Sequence, residues 1–247
     1  MTSHPEFTFY YHTEACSIAV RILLNNLALP FKAIPMRQSP NGIEPADDSL
    51  TALEYKAQVH HMGYVPALTF TDPTTGKKEV LIEMPAILNY LVSVSSLDTE
   101  AKEKLTGSTP LEKARVTSWL AWLSATVHAQ AFGPFFAPHR FYDADTVITA
   151  GGNVEDTQKA VVEGAKKKAV FCYESIERRI ADSEYGTVLG GKEVTLVDIN
   201  AYVFLRWGRK AFDMSKFVKY AKMGKKVEEL EGAKKALQQE GLEALAV

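Results

Sequence analysis

"FYYHTEACSIAVRILLNN" (residues 9–26) passes from an aromatic, strand-like run into a helix-like one and sets Cys16 at the join. Upstream, "EFTFYY" completes the strand. Downstream, "SIAVRILLNNLAL" puts Ile18, Ile22 and Leu23 (or Leu24) on one face of a helix. "FKAIPM" is a second strand-like run, and the turn-rich "SPNGIEPADDSL" leads into a short helix or loop. "VPALTFT" and "EVLIE" flank "DPTTGKK" as the two strands of a hairpin. "MPAILNYLVSV" closes the series as a helix, with Pro85 at the first helical position, where its missing N–H costs nothing. The order β-α-β-α-β-β-α predicts a small α/β layer around a mixed sheet over residues 1–95.

After Ser95 the strand signals stop. "SSLDTEAKEKLTGSTP" is polar and reads as a linker, residues 96–109, leading into helix. Residues 110–247 then read as all-helical. Val116, Trp119, Leu120, Leu123 and Val127 recur at helical spacing, as do Ala165, Ala169, Tyr173, Ile176 and Ile180. A third helix is announced by "VTLVDINAYVFLRW", with Thr195 as cap, Asp198 as its reciprocal partner and Val194 stapling to Ile199. The expected fold class is therefore α/β followed by all-α.

The totals narrow the function. In 247 residues, 46% apolar and 23% charged, 28 basic side chains stand against 30 acidic ones. Near-zero net charge argues against nucleic acid or an anionic membrane as the main partner. The two cysteines, Cys16 and Cys172, make neither a disulfide framework nor a cysteine zinc site. "MTSHPEFTFYYH" lacks the charged head and apolar run of a leader, and no apolar stretch nears the roughly 20 residues that span a bilayer. A soluble, reduced, cytoplasmic setting is expected.

Several residues carry chemistry. A thiolate at a helix N-terminus meets free N–H groups and the positive end of the dipole, so the Cys16 pKa is expected to fall. Ala19 occupies the place of a resolving cysteine, which suits an external thiol partner better than an internal dithiol cycle. The alternative is a buried, inert cysteine. Pro66 opens what looks like an interior strand, by a simple strand start or a cis bond, and would leave Val65 N–H and C=O facing a cleft. There they can pair with an extended peptide ligand as a strand would. At Glu83-Met84-Pro85 a strand meets a helix N-terminus. Its N–H groups suit a carboxylate and Glu83 an amino group, the two ends of an amino-acid zwitterion. His60 and His61 are adjacent and point apart, a poor chelating pair, so no metal is expected. His128 precedes "AFGPFF" and suits an apolar pocket or a structural role. Trp119, Trp122, Phe132, Phe135, Phe136 and Trp207 read as core, with some lining a cleft between the halves.

Together these stretches resemble the glutathione S-transferase family, nearest its cysteine-containing, beta-like classes. "YYHTEACSIA", "VPAL" with "IEMPAILNYL", "TLVDINAYVFLRW" and "KKALQQEGL" carry the resemblance over nearly the whole chain. It implies a thioredoxin-like glutathione-binding domain (1–95) and a helical domain (110–247). It implies that Cys16 lies near the glutathione sulfur with Tyr11 close by, and His128 near the active site. Val65, before a cis-Pro66, would pair with the cysteinyl backbone, and Glu83 would bind the γ-glutamyl amino group. Trp207 would border the electrophile pocket, to which Trp122 and Phe132 are also assigned. A homodimer follows from the same resemblance.

The chain departs from the pattern in three places. Met84 replaces a small or hydroxyl residue, which removes a hydrogen bond worth about 1.5–3 kcal/mol, leaves only backbone N–H for the γ-glutamyl carboxylate, and threatens to fill the site. His60-His61-Met62 replaces an Asn-Pro-Lys-type stretch and so loses a polar or cationic contact. Ala129 stands where lysine is common. The expected activity is transfer of glutathione to a hydrophobic electrophile, with glutathione as co-substrate and no metal. Thiol transfer or deglutathionylation through a mixed disulfide at Cys16 is a variant. The alternatives are a glutathione-independent isomerase, cyclase or lyase on a hydrophobic metabolite, and a non-catalytic interaction module. The last is disfavoured because the chain ends shortly after the helical half.

Overall fold

The computed structural model describes residues 5–245; residues 1–4, the start of the stretch read as lacking a leader, and the final residues 246–247 lie outside them. The first half runs β1 (Phe7–Tyr11), α1 (Ile18–Asn26), β2 (Phe31–Ser39), β3 (Gly42–Pro45), α2 (Ala52–Gln58), β4 (Ala67–Thr71), β5 (Lys78–Ile82) and α3 (Met84–Val94). The sheet order is β3-β2-β1-β4-β5. β1 and β2 are parallel, in the register Phe9 to Ala33, and β4 runs antiparallel to β1 with Phe9 opposite Leu68. The expected β4–β5 hairpin is present, its loop closed by Asp72 accepting from Thr74 N–H at 2.7 Å and by Asp72 N–H donating to Lys77 O at 2.9 Å.

As the middle strand, β1 is covered on both faces. Phe7 and Phe9 pack with Ile18, Ile22 and Leu23 of α1 in the main core. Tyr10 points the other way, into a smaller cluster with Ile34, Met36, Tyr55 and Ala67. Period-two alternation on β1 thus places residues on two different layers.

Two elements differ from the sequence reading. Ser39 Oγ donates to Gly42 O at 2.9 Å and closes a tight turn, after which Gly42–Pro45 returns along β2 as a short edge strand. The segment read as linker carries α4 (Thr99–Thr106), whose first turn is capped by Asp98 accepting from Ala101 N–H at 2.8 Å. Its polar composition gave no hint of helix because only Leu105 is buried.

The second half is helical, as expected: α5 (Pro110–Trp122), a π-helical continuation (Leu123–Phe132), α6 (Gly133–Phe136), a 3₁₀ turn (Pro138–Arg140), α7 (Ala144–Thr149), α8 (Val154–Ala181), α9 (Leu196–Ala211), α10 (Val218–Glu229) and α11 (Glu231–Glu240). The α9 capping box is formed. Asp198 accepts from Thr195 N–H and Thr195 Oγ1, and its other oxygen takes Val188 N–H, each at 2.8 Å. A single buried carboxylate therefore starts the central helix and pins the loop before it. No helix among the described residues is long and apolar enough to cross a membrane.

Candidate active site

Cys16 does not occupy the first turn of α1. The helix starts at Ile18 with Ser17 as its N-cap, and the Ser17 side chain is turned back instead of capping. Ser17 Oγ donates to His12 O at 3.0 Å and accepts from His12 N–H at 3.3 Å, which closes residues 12–17 into a compact loop. Cys16 is buried within it at 6% exposure. Its thiol donates to Val65 O at 3.6 Å. Burial, with the Glu83 charge adding to it, pushes the thiol up to about 12, against weaker help from the backbone N–H groups of Cys16 and Ser17. The expectation of a lowered pKa is thus overturned. One residue of offset removes most of the dipole's help, and desolvation outweighs the rest.

The second half holds this loop in place. Glu14 adopts a left-handed backbone (φ +61°). Its N–H donates to Glu240 Oε2 at 3.1 Å, and its C=O accepts from Trp207 Nε1 at 2.8 Å. Its carboxylate pairs with Lys210. Glu240, at the end of α11, also forms a buried ion pair with Arg21 of α1 at 2.9 Å. The Arg21 guanidinium lies 3.9 Å from the Tyr11 ring centroid.

A cavity of about 800 Å³ opens beside Cys16, between the two halves. Cys16, Val65, Pro66, Glu83, Met84, His128 and Trp207 all line it. The Val65–Pro66 bond is cis and β4 starts at Ala67. Val65 N–H has no partner among the described residues, while its C=O takes the Cys16 thiol. Glu83 sits at the α3 N-cap with φ +71°. Its carboxylate is exposed and, among the described residues, unpaired. Pro85 is the second residue of α3 rather than the first. Met84 is 8% exposed and packs into the main core, so it forms wall and leaves the cavity open.

His128 lies in the π-helical stretch, where one extra residue per turn shifts its side chain relative to an α-helix. Its ring meets Trp207 at 5.3 Å and Phe204 at 6.0 Å, both edge-on. Burial holds its pKa below the ordinary imidazole value, so it stands neutral.

Three expected site residues fall outside the cavity. Tyr11 points under Arg21 and stacks on Phe9 at 5.6 Å. Phe132 is fully buried in an aromatic cluster with Tyr173, Phe204 and Trp207. Trp122 packs on Trp119 at 5.2 Å and against the core. Local sequence marks Tyr11 as a strand residue and Trp122 and Phe132 as helical aromatics but does not say which neighbours each one meets.

Conversely, Lys56, His60, Tyr64 and Arg140 line the cavity without having been singled out for it. His60 is buried, accepts from Met62 N–H through Nδ1 at 3.3 Å and stacks on His61 at 5.5 Å. The His pair gathers no metal-ligand set among the described residues. Lys56 donates to Asn41 O at 3.2 Å. Its stem fills the space beside Gly63 and its ammonium the space beside Gly42, where added Cβ atoms would sit 2.8 and 3.3 Å from it. Lys56 thus puts a cation on the cavity wall beside the His60-His61-Met62 stretch. Only its place in a short helix marks it in the sequence, and that signal is too weak to find it.

No protein-family model matches the chain. Over 74 residues it is 36% identical to a glutathione S-transferase, aclG, of Aspergillus oryzae, a match spanning 30% of this chain and about a third (32%) of that protein. Among solved structures, the beta-class glutathione S-transferase of Sphingomonas chungbukensis is similar at a TM-score of 0.71 and 24% identity, covering 96% of this chain and 100% of that one. A glutathione transferase homologue from Sulfitobacter with bound glutathione is similar at 0.72 and 19%, covering 96% and 99%.

Proposed function

We propose that this chain, which carries the glutathione S-transferase fold, joins the glutathione thiol to a hydrophobic electrophile. The observation that carries the reading is the unpaired, exposed Glu83 carboxylate on the same cavity as Val65 and Cys16. Glutathione offers one ammonium, two carboxylates and a peptide backbone. Glu83 takes the ammonium, and the N–H groups at the start of α3 take the γ-glutamyl carboxylate. Val65 N–H pairs with the cysteinyl segment as a strand edge would. Lys56, fixed across Gly42 and Gly63, takes the glycyl carboxylate. That arrangement brings the sulfur to Cys16, whose protonated thiol faces Val65 O.

The reaction forms a carbon–sulfur bond at the electrophilic carbon, and the leaving group departs with its electron pair. The thiol proton passes to the neutral His128 imidazole, and from there to solvent. Holding the thiol beside the electrophile in an apolar cleft supplies the remaining acceleration. With Cys16 protonated, conjugation is favoured over a mixed-disulfide cycle. In this reading residues 1–95 form the glutathione domain and 110–247 the electrophile domain, joined through 96–109. The protein works as a cytoplasmic homodimer.

Steady-state conjugation of glutathione to chlorodinitrobenzene tests the assignment. Glu83→Ala should raise KM for glutathione about ten- to a hundredfold, the loss of one charge-assisted contact. An unchanged KM would remove Glu83 from the glutathione site.

A further inference from the structure

The cavity has a second wall that glutathione does not account for. Met62, Tyr64, Phe136 and Phe141 are among the few large apolar side chains that stand exposed, at 52%, 38%, 56% and 48%, and all four line it. Tyr64 comes from the sheet half; Phe136 and Phe141 come from α6 and the turn beyond it. Arg140 stands among these rings. Its guanidinium lies 5.3 Å from the Tyr64 ring centroid, and Nη1 donates to Tyr64 Oη at 3.2 Å. No acidic side chain among the described residues pairs with it, and Glu83 is the one acid on the cavity wall.

Two cations therefore face one cavity from opposite halves. Lys56 is placed for the glycyl end of glutathione, which leaves Arg140 without a counter-charge. A guanidinium offers its donors in a planar fork that fits a carboxylate. The bond to Tyr64 Oη uses one Nη1 donor and leaves the others open.

We propose that the electrophile is a flat aromatic compound bearing a carboxylate or similar oxyanion, its ring seated on Tyr64, Phe136 and Phe141 and its charge held by Arg140. The reaction rests on the transferase reading above; the ligand class rests on this wall alone.

The test compares chloronitrobenzoate with chloronitrobenzamide, which share a ring and differ in charge. Binding is read without glutathione, by quenching of tryptophan fluorescence, since Trp207 lines the same cavity. The carboxylate should bind about tenfold more tightly than the amide. Arg140→Ala should bring the two to equality, Arg140→Lys should keep part of the preference, and Tyr64→Phe should reduce it. Equal binding of the two compounds to the native chain overturns the proposal. So does a loss of glutathione affinity in Arg140→Ala with the carboxylate preference intact, which would assign Arg140 to the glycyl carboxylate. If neither compound is conjugated while the Arg140-dependent preference persists, the ligand class stands and the transferase reading falls.

Discussion

Cys16 lies one residue ahead of the α1 N-cap, and that offset decides its chemistry. A favourable helix dipole is worth about 0.3–1 kcal/mol. Burying an unpaired charge costs several. The thiol accordingly stays protonated at neutral pH, and its alkylation by iodoacetamide should be slow and rise through alkaline pH with no plateau below about pH 9, above the usual thiol value of about 8.5. A plateau near neutrality would show an activated thiolate. His128 makes the opposite adjustment. Burial lowers its pKa, so the base remains neutral at pH values where an ordinary imidazole, with pKa about 6.5, gains its proton. The acid limb of the conjugation rate should therefore fall below about pH 6.5 and vanish in His128→Gln. A limb at or above that value would leave His128 with a structural role. Residue type and local order singled out Cys16, Glu83 and Pro66 one by one, and the family resemblance implied that they share a site. The sign of the Cys16 shift was not legible, because burial is set by packing that local sequence does not record.

Among the elements, α11 does the most for the site. Its last residue, Glu240, joins Arg21 of α1 to the backbone of Glu14, 226 residues away in sequence. Glu240→Ala leaves Arg21 buried without its partner and frees Glu14 N–H. The variant should lose about 3–5 kcal/mol in urea unfolding. Hydrogen exchange at Glu14 should accelerate in the same variant, which reports loosening of the Cys16 loop. A loss under about 1 kcal/mol with unchanged exchange would mean that the loop holds itself. Nothing local in "KKALQQEGL" announces such a contact, whereas the α9 capping box was legible because both partners lie within one turn. The short strand β3 and helix α4 were missed for a related reason. Each buries too little to leave an apolar period, and each is set by a turn or a cap.

At the scale of the whole molecule, a sheet layer and a helical layer meet along a cleft that neither half forms alone. The alternation of element types in residues 1–95 and the helical periods beyond 110 were enough to read both layers. Which aromatic residues reach the cleft was not, since Phe132 and Trp122 differ from Phe136 and Phe141 only in what the helices pack against. Charge follows the same division: Glu83 and Lys56 stand on the sheet side and Arg140 on the helical side. Isothermal titration of the reduced native chain with glutathione tests this account most directly. Saturable binding of one glutathione per chain, weakened in Glu83→Ala, is the expected result. No heat of binding from a folded protein would contradict it, because the unpaired Glu83 carboxylate would then serve some other cation.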